Sequence, residues 1–182
     1  MRIDGVFVLG FMLSTAILGA TELSQTRVVF DVVGKPSFIR IHGEGTQLSH
    51  QIVAEKEGAF EVFVIPLADL KTGIDVVDER MKKDYLKVKD FPVAKLKIPV
   101  AKKSVFDFPS EKTFEGTLSL HGQTRPVRVS ATTDGEKVTA HFEIKMTDYG
   151  IEVPQWTGAR LADTVTVGVS LVPLVLVPEL AR

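Results

Sequence analysis

Most of the chain alternates apolar and polar residues with a period of two, and this pattern predicts β-strands. In residues 138–146 and 165–171 every second residue is apolar. Such strands have one apolar and one polar face, as in antiparallel sheets with a single buried side. Further candidate strands cover residues 28–32, 38–41, 48–54, 60–65, 95–98, 114–121 and 127–131. Eight or nine strands at hairpin spacing predict an all-β fold, either a closed antiparallel barrel or a sandwich.

Glycine-containing turns separate these strands. Asp134-Gly135 is the strongest hairpin signal, because a type I′ turn needs positive φ at both of its central residues. Residues 43–45, 57–58 and 121–123 are weaker versions of the same signal.

Two segments depart from the period of two. Residues 75–86 place Val77, Met81 and Tyr85 at i, i+4 and i+8, with acidic residues leading and lysines following. This spacing and charge order predict a short helix across an end or a wall of the barrel. Residues 147–163 contain the only Trp of the chain, Trp156, and predict a loop that covers an opening.

Near the N-terminus, residues 6–18 form an apolar run that is too short to span a bilayer, which needs about 20 residues. The run matches the hydrophobic region of a secretory signal, and Ala20 precedes the expected cleavage site. We therefore expect residues 1–20 to be a cleaved signal peptide and residues 21–182 to form one domain. An uncleaved anchor and a buried N-terminal strand are the alternatives. A cleaved signal predicts a periplasmic or secreted protein without stable membrane insertion.

The 182 residues carry 22 basic and 23 acidic side chains, which argues against nucleic-acid binding, since that usually needs a basic excess. Cysteine is absent, so disulfides, thiolate metal sites and cysteine nucleophiles are excluded. His42 and His50 could face each other across a hairpin, but no third ligand accompanies them, so we expect no metal and no cofactor. Serine-hydrolase, zinc-protease and Walker A motifs are also missing. We assign no catalytic residue and predict that the protein is not an enzyme.

The predicted helix carries a charged cluster, Asp78, Glu79, Arg80 and Asp84. Paired carboxylates act as acid and base only in a shared, partly buried pocket, and these residues lie on the predicted polar face. A solvated helix surface is therefore expected. Arg80 has a second interpretation, in which its guanidinium binds a loop carboxylate or the anionic head of a ligand.

Four segments of the chain form distinctive motifs: LADLKTGIDVVDERMKKDYL at 67–86, FPVAKL at 91–96, GTLSLHGQTRPV at 116–127 and MTDYGI at 146–151. In these four segments the chain resembles the YceI-like family of bacterial polyisoprenoid-binding, lipocalin-like proteins. The last two are the most specific, being similar to the family elements G-x-T-(R/K)-P-V and D-F-G-I, and the likeness covers about residues 28–172. Residues 78–81 depart from the R-D-x-H-M pattern of the family, and Met146 stands where an Arg is usual.

The resemblance implies an extended lipocalin-like up-and-down barrel of about eight strands, with a short helix and a long apolar tunnel. It also implies binding of an isoprenoid, such as a quinone or a prenyl chain. Each buried CH₂ contributes about 0.8 kcal/mol, so a prenyl tail could supply most of the affinity without polar contacts. The departures from the family pattern leave the fold inference intact and favour a different or less polar head group.

We expect the apolar strand faces to line this tunnel, with Tyr149 and Trp156 at its mouth, where amphipathic rings suit a boundary with water. The expected lining residues are Phe30, Ile39, Val62, Val64, Leu96, Ile98, Leu118, Leu120, Phe142, Ile144, Val167 and Val169. One alternative is an ordinary packed core in a structural or partner-binding module, and another is an enzyme acting on a lipid in the same cavity. An exposed edge strand would also permit a homodimer.

Overall fold

The computed structural model describes residues 16–19, 23–100 and 110–173, and its strands follow the period-two segments of the sequence. In chain order they are β1 Ala16–Gly19, β2 Leu23–Lys35, β3 Arg40–Gly45, β4 Ser49–Glu55, β5 Gly58–Pro66, β6 Val93–Pro99, β7 Glu111–Leu120, β8 Gln123–Thr133, β9 Val138–Lys145, β10 Gln155–Trp156, β11 Ala159–Leu161 and β12 Thr164–Pro173. The helical segments are a 3₁₀ turn at Leu67–Asp69, the helix α1 at Asp75–Arg80, which continues as a π-helical turn at Met81–Tyr85, and a 3₁₀ turn at Met146–Tyr149.

The sheet closes on itself through one bent strand. Antiparallel pairing places β5, β6, β7, β8, β9, β12 and β2 side by side, while β3 pairs with β2 and β4 pairs with β5. These pairings make β3 and β4 run in the same direction, so residues 46–48 join them into a single strand. At the bend, the carboxylate of Asp69 accepts hydrogen bonds from the N–H groups of Thr46 (2.5 Å) and Gln47 (2.8 Å). The result is an antiparallel barrel with eight strand positions around its wall, which confirms the predicted fold class.

Two of the predicted turns differ from expectation. Gly43 and Gly45 lie inside β3, because the tip of the β2–β3 hairpin is at residues 36–38. Gly43 is needed there since a Cβ atom would lie 2.2 Å from the ring of Phe30 on β2. The turn at residues 134–135 does join β8 and β9, but only Gly135 has positive φ. The Asp134 carboxylate accepts hydrogen bonds from the N–H groups of Glu136 (3.0 Å) and Lys137 (2.8 Å).

The predicted helix is confirmed. Ahead of it, the Asp78 carboxylate accepts hydrogen bonds from the N–H (2.6 Å) and the hydroxyl (2.7 Å) of Thr72, which fixes the turn that leads into α1. Burial alone would raise the pKa of Asp78, but these hydrogen bonds and nearby Lys82 hold it below its usual value. Asp78 therefore has a structural role, because its carboxylate holds the turn at Thr72 against the first turn of α1.

The two most family-like motifs contact each other. The turn at His121–Gly122, where both residues have positive φ, joins β7 to β8 and packs on the 3₁₀ turn that follows β9. The Nδ1–H of His121 donates to the carbonyl of Tyr149 (2.9 Å), and Nε–H of Arg125 donates to the carbonyl of Asp148 (3.1 Å). These motifs thus stabilise one end of the barrel.

The predicted signal peptide lies largely outside the described residues and stays a prediction. Of its length, Ala16–Gly19 are described as a strand that pairs antiparallel with β4. Within residues 16–19, 23–100 and 110–173, no helix is long and apolar enough to cross a membrane.

Candidate functional site

The barrel encloses an apolar cavity of about 320 Å³ at the end where β2 and β5 finish, here called the mouth end. We call it the upper cavity. Its lining consists of Val28, Phe30, Val32, Ile41, Ile65, Leu67, Leu70, Val76, Val77, Arg80, Met81, Tyr85, Leu86, Ala94, Leu118, Leu120, Phe142, Ile144, Met146, Ile151, Pro154, Trp156, Leu161, Val165 and Val167.

Most of this lining comes from three parts of the chain. The strands supply every second residue from their inner faces, as the period of two dictates. The helical segment closes one side with Val77, Met81 and Tyr85, which recur at helical spacing and therefore share one face. Residues 150–161 close another side, as expected for a covering segment, and contribute Ile151 and Trp156.

A smaller cavity of about 50 Å³, the lower cavity, lies deeper in the barrel. Its lining includes Phe63, Leu96, Ile98 and Val169. Three side chains, Ile65, Leu118 and Phe142, line both cavities and so form the partition between them. The barrel interior is therefore divided into two cavities by side chains and not by backbone. Side chains can change rotamer, so this partition can open.

Many residues expected in the lining do face these cavities. The upper cavity contains Phe30, Leu118, Leu120, Phe142, Ile144 and Val167, and the lower cavity contains Leu96, Ile98 and Val169. Trp156 lies at the mouth as expected, since it lines the upper cavity and is also exposed.

The expected parity of β5 is wrong. Phe63 and Ile65 point into the barrel, whereas Val62 and Val64 lie on the opposite face, in register with Lys97 and Lys95 of β6. Val62 is nevertheless buried, on the outer side of the sheet.

Two further expectations are corrected. Ile39 packs beside the β2–β3 hairpin, where its side chain lies against Gly34, and it does not line either cavity. Tyr149 is buried in the core and is not at the mouth. Burial raises the pKa of its hydroxyl, helped by the charge of Asp148 and opposed by Arg125.

In the upper cavity, most of the lining residues that the sequence did not indicate come from helical or irregular segments. Val77, Met81 and Tyr85 had a signal, because their helical spacing predicted a shared face, but that face was not assigned to the tunnel. Leu67 begins the 3₁₀ turn after β5 and Leu70 directly follows that turn, where neither period applies. Both side chains reach the upper cavity because the chain after β5 passes over the bend between β3 and β4.

A buried hydrogen-bonded pair lies towards the opposite end of the barrel. His50 of β4 and Glu61 of β5 approach to 3.0 Å, with side chains 0% and 1% exposed. His50 is opposite Phe63, and Glu61 is opposite Ile98, so both share the inner face with lower-cavity residues. His42 instead lies on an exposed face, 2.8 Å from Asp31. The two histidines therefore have separate partners and do not meet.

The electrostatics of the upper cavity are simple. Arg80 is the only charged residue in its lining, and no carboxylate among the described residues forms an ion pair with it. No group of three His, Asp or Glu side chains suited to a metal ion occurs within the described ranges. The site can therefore remove apolar surface from water and offer one cation at its edge.

Comparison with known proteins places this geometry in a family. The sequence model of the YceI-like domain matches residues 21–172. The chain is 28% identical over 173 residues to a UPF0312 protein of Pseudomonas savastanoi pv. phaseolicola, with 82% of this chain and 88% of the relative covered. A UPF0312 protein of Pseudomonas putida is 27% identical over the same length and coverage.

Two solved structures share the fold. A polyisoprenoid-binding domain from Saccharophagus degradans, implicated in plant cell wall breakdown, superposes with a TM-score of 0.64 at 19% identity, covering 87% of this chain and 98% of that one. Burkholderia cenocepacia BcnA superposes with a TM-score of 0.61 at 20% identity, covering 84% and 98%. At these identities the likeness shows the fold of the barrel.

Proposed function

Because this chain belongs to the YceI-like domain family, we propose that it binds one long apolar chain, an isoprenoid or a similar lipid, inside the barrel. The observation that carries the proposal is the upper cavity, whose lining is apolar apart from Arg80 and the polar atoms of Tyr85 and Trp156. A filled core would leave no such space, so the cavity favours a carrier over a structural module. The fold is shared with a polyisoprenoid-binding domain, which supports the same ligand class.

The cavity volume fits part of such a chain. An apolar cavity of roughly 150 Å³ holds a six-carbon ring, so about 320 Å³ has room for about twelve carbon atoms. A longer chain needs the lower cavity as well, and it reaches this cavity only when the partition side chains move.

We further propose export to the periplasm or the exterior, on the strength of the apolar N-terminal run. Binding requires no covalent step, and the carboxylate best placed for an enzymatic role, Asp78, is occupied by Thr72. A carrier of an apolar chain is therefore favoured over an enzyme acting on that chain.

The direct test is to purify the protein from its native host and to extract it with organic solvent. Mass spectrometry of the extract should show a prenyl or other long-chain lipid in a stoichiometric amount. Repeated recovery of protein without lipid, together with failure of the empty protein to take up added polyprenol, would exclude the carrier.

Phe142 should control the length of chain that the barrel accepts. Phe142→Ala removes one side of the partition and joins the two cavities, so we expect affinity for chains longer than about twelve carbons to rise relative to shorter ones. Calorimetric titration with prenyl alcohols of increasing length measures this shift.

A matched control for this variant is Phe114→Ala. Phe114 is also buried and lines the lower cavity, but it does not face the upper one. Phe114→Ala should leave the relative affinities unchanged for ligands short enough to fit in the upper cavity alone. An identical length preference in wild type and Phe142→Ala would contradict a partition at this position.

Arg80 should seat the head group. It lies at the exposed edge of the upper cavity, and a guanidinium there can donate charge-assisted hydrogen bonds to a phosphate, carboxylate or carbonyl oxygen. Such bonds contribute about 1.5–3 kcal/mol, so Arg80→Met should weaken binding of a prenyl phosphate roughly tenfold to a hundredfold. Binding of a prenyl hydrocarbon of equal length should be unchanged, and an equal loss for both ligands would argue against a head-group role.

A further inference from the structure

Exposed apolar side chains gather around the mouth end. Phe38 at the tip of the β2–β3 hairpin is 83% exposed, and Trp156 on β10 is 46% exposed. Ile74 and Val76 at the start of α1 are 53% and 59% exposed. We call these four residues the rim. Large apolar side chains exposed together at one end of a protein mark an interaction surface.

The rim is continuous with the binding cavity. Val76 and Trp156 belong to both, because they line the upper cavity and are exposed to solvent. The hairpin that carries Phe38 is tied to the β10–β11 hairpin, since Lys35 of β2 is in register with Arg160 of β11. The apolar path from the outside into the barrel is therefore unbroken.

A basic groove lies directly behind the rim. Lys35 and Arg160 are opposite each other in the ladder and line a groove of about 300 Å³ with Gln155. Like charges directly opposite on paired strands destabilise each other. Among the described residues, no carboxylate forms an ion pair with either cation.

Asp163 is the one carboxylate among the described residues that line this groove, and it already has hydrogen-bond donors. Asp163 accepts hydrogen bonds from the N–H (2.9 Å) and the hydroxyl (2.6 Å) of Thr147. Burial alone would raise the pKa of Asp163, but the Thr147 hydrogen bonds and Lys145 hold it below its usual value. Asp163 is ionised but hydrogen-bonded to Thr147, so the groove keeps a net positive charge from Lys35 and Arg160. An external anion would relieve the repulsion between these two cations. Asp75, Glu79 and Glu152 are also exposed at this end, but none of them lines the cavity or the groove.

From these features we propose that the mouth end docks on the surface of an anionic lipid bilayer. The rim enters the boundary between head groups and acyl chains, Trp156 takes the interfacial position that suits an indole ring, and the basic groove binds lipid phosphates. Docking opens the cavity directly onto the membrane. An apolar chain then passes between bilayer and barrel without crossing water. Transfer of a ligand between bilayer and barrel rests on the proposed function, whereas binding of the rim and the basic groove to a bilayer does not.

Vesicle binding tests the docking surface, and Trp156 is a built-in probe because it is the only Trp. We expect the empty protein to co-sediment with phosphatidylcholine vesicles that contain phosphatidylglycerol, and only weakly with pure phosphatidylcholine. Brominated acyl chains in the anionic vesicles should quench Trp156 fluorescence. Phe38→Ser with Ile74→Ser, and separately Lys35→Gln with Arg160→Gln, should each lower the partition coefficient on the order of tenfold.

Matched controls come from the opposite end of the barrel. Val100 follows β6 and is an exposed apolar residue, and Lys137 is an exposed cation in the β8–β9 turn. Val100→Ser and Lys137→Gln should bind vesicles as wild type does. Equal partitioning of wild type, rim variants and controls would overturn the proposal. So would equal binding to neutral and anionic vesicles, or fluorescence that brominated lipid leaves unchanged.

A second assay separates docking from ligand binding. Neither Phe38 nor Ile74 lines a cavity, so their variants should still bind a prenyl alcohol supplied in detergent. Ligand binding in detergent without vesicle docking would refute the docking surface and leave the carrier intact. Vesicle docking without any ligand binding would support the surface and refute the proposed function.

Discussion

Ala94→Phe should abolish most binding of an apolar chain while the barrel still folds. Ala94 is buried on β6, and its side chain points into the upper cavity. A phenyl ring at this position occupies the space of about one five-carbon unit of the ligand. At about 0.8 kcal/mol per buried CH₂, the loss is about 4 kcal/mol, or roughly three orders of magnitude in Kd. Titration with a prenyl alcohol measures this change.

The stability of Ala94→Phe should change little, because the ring enters an existing void and does not displace packed atoms. Thr117→Phe is the matched control, since it places the same ring on the exposed face of β7. It should bind the ligand as wild type does. An unchanged Kd for Ala94→Phe in a folded protein would show that the ligand lies elsewhere.

Glu61→Leu should lower the free energy of unfolding by about 1–3 kcal/mol, the usual loss when a buried polar group loses its hydrogen-bond partner. The variant leaves the ring of His50 in the barrel interior without the carboxylate that now lies 3.0 Å away. Urea unfolding followed by circular dichroism measures the difference in free energy. The double variant His50→Leu with Glu61→Leu should be less destabilised than the sum of the two single variants, because it removes both buried polar groups.

An exposed pair provides the comparison for this variant. Arg128 and Glu115 approach to 2.8 Å, but their side chains are 74% and 69% exposed. Glu115→Leu should change the free energy of unfolding by less than about 1 kcal/mol, since water already screens the pair. If Glu61→Leu were as mild as Glu115→Leu, the His50–Glu61 pair would not be needed for the barrel.

The same buried pair explains why the sequence misassigns β5. The inner face of this strand carries Glu61, Phe63 and Ile65, and its outer face carries the apolar Val62 and Val64. A charged residue predicts the solvent-facing side of a strand. Glu61 therefore makes the inner face of β5 look like the outer face in the sequence. Glu61 faces the interior because it pairs there with His50 of the neighbouring strand. A contact between two strands leaves no pattern in the sequence of either strand.

Where the outer face of a strand carries no apolar side chain between its inward-facing residues, the alternation of residues is sufficient to predict which side chains face the interior. Phe142 and Ile144 on β9, and Val167 and Val169 on β12, all face the interior as expected. Shifting such a strand by one residue would expose its whole apolar set, so its register is strongly specified. The all-β barrel followed from many segments of this kind.

The bent strand and its surroundings could not be predicted in this way. Gly43 and Gly45 resemble a turn in sequence, yet the chain stays extended there because both residues pair with β2. The ring of Phe30 and the carboxylate of Asp69 occupy the space that side chains at these positions would need. The 3₁₀ turn at Leu67–Asp69 then covers the bend and adds Leu67 to the upper cavity. These contacts join residues that are far apart in the chain, so the local alternation of apolar and polar residues does not predict them.

The central claim, that the barrel binds by burying an apolar chain, is tested most directly by calorimetric titration with prenyl alcohols of increasing length. We expect one ligand per barrel, a negative change in heat capacity, and affinity that rises at least tenfold with each added five-carbon unit until the chain reaches Phe142. Affinity that does not depend on chain length, or no saturable binding at any length, would contradict it.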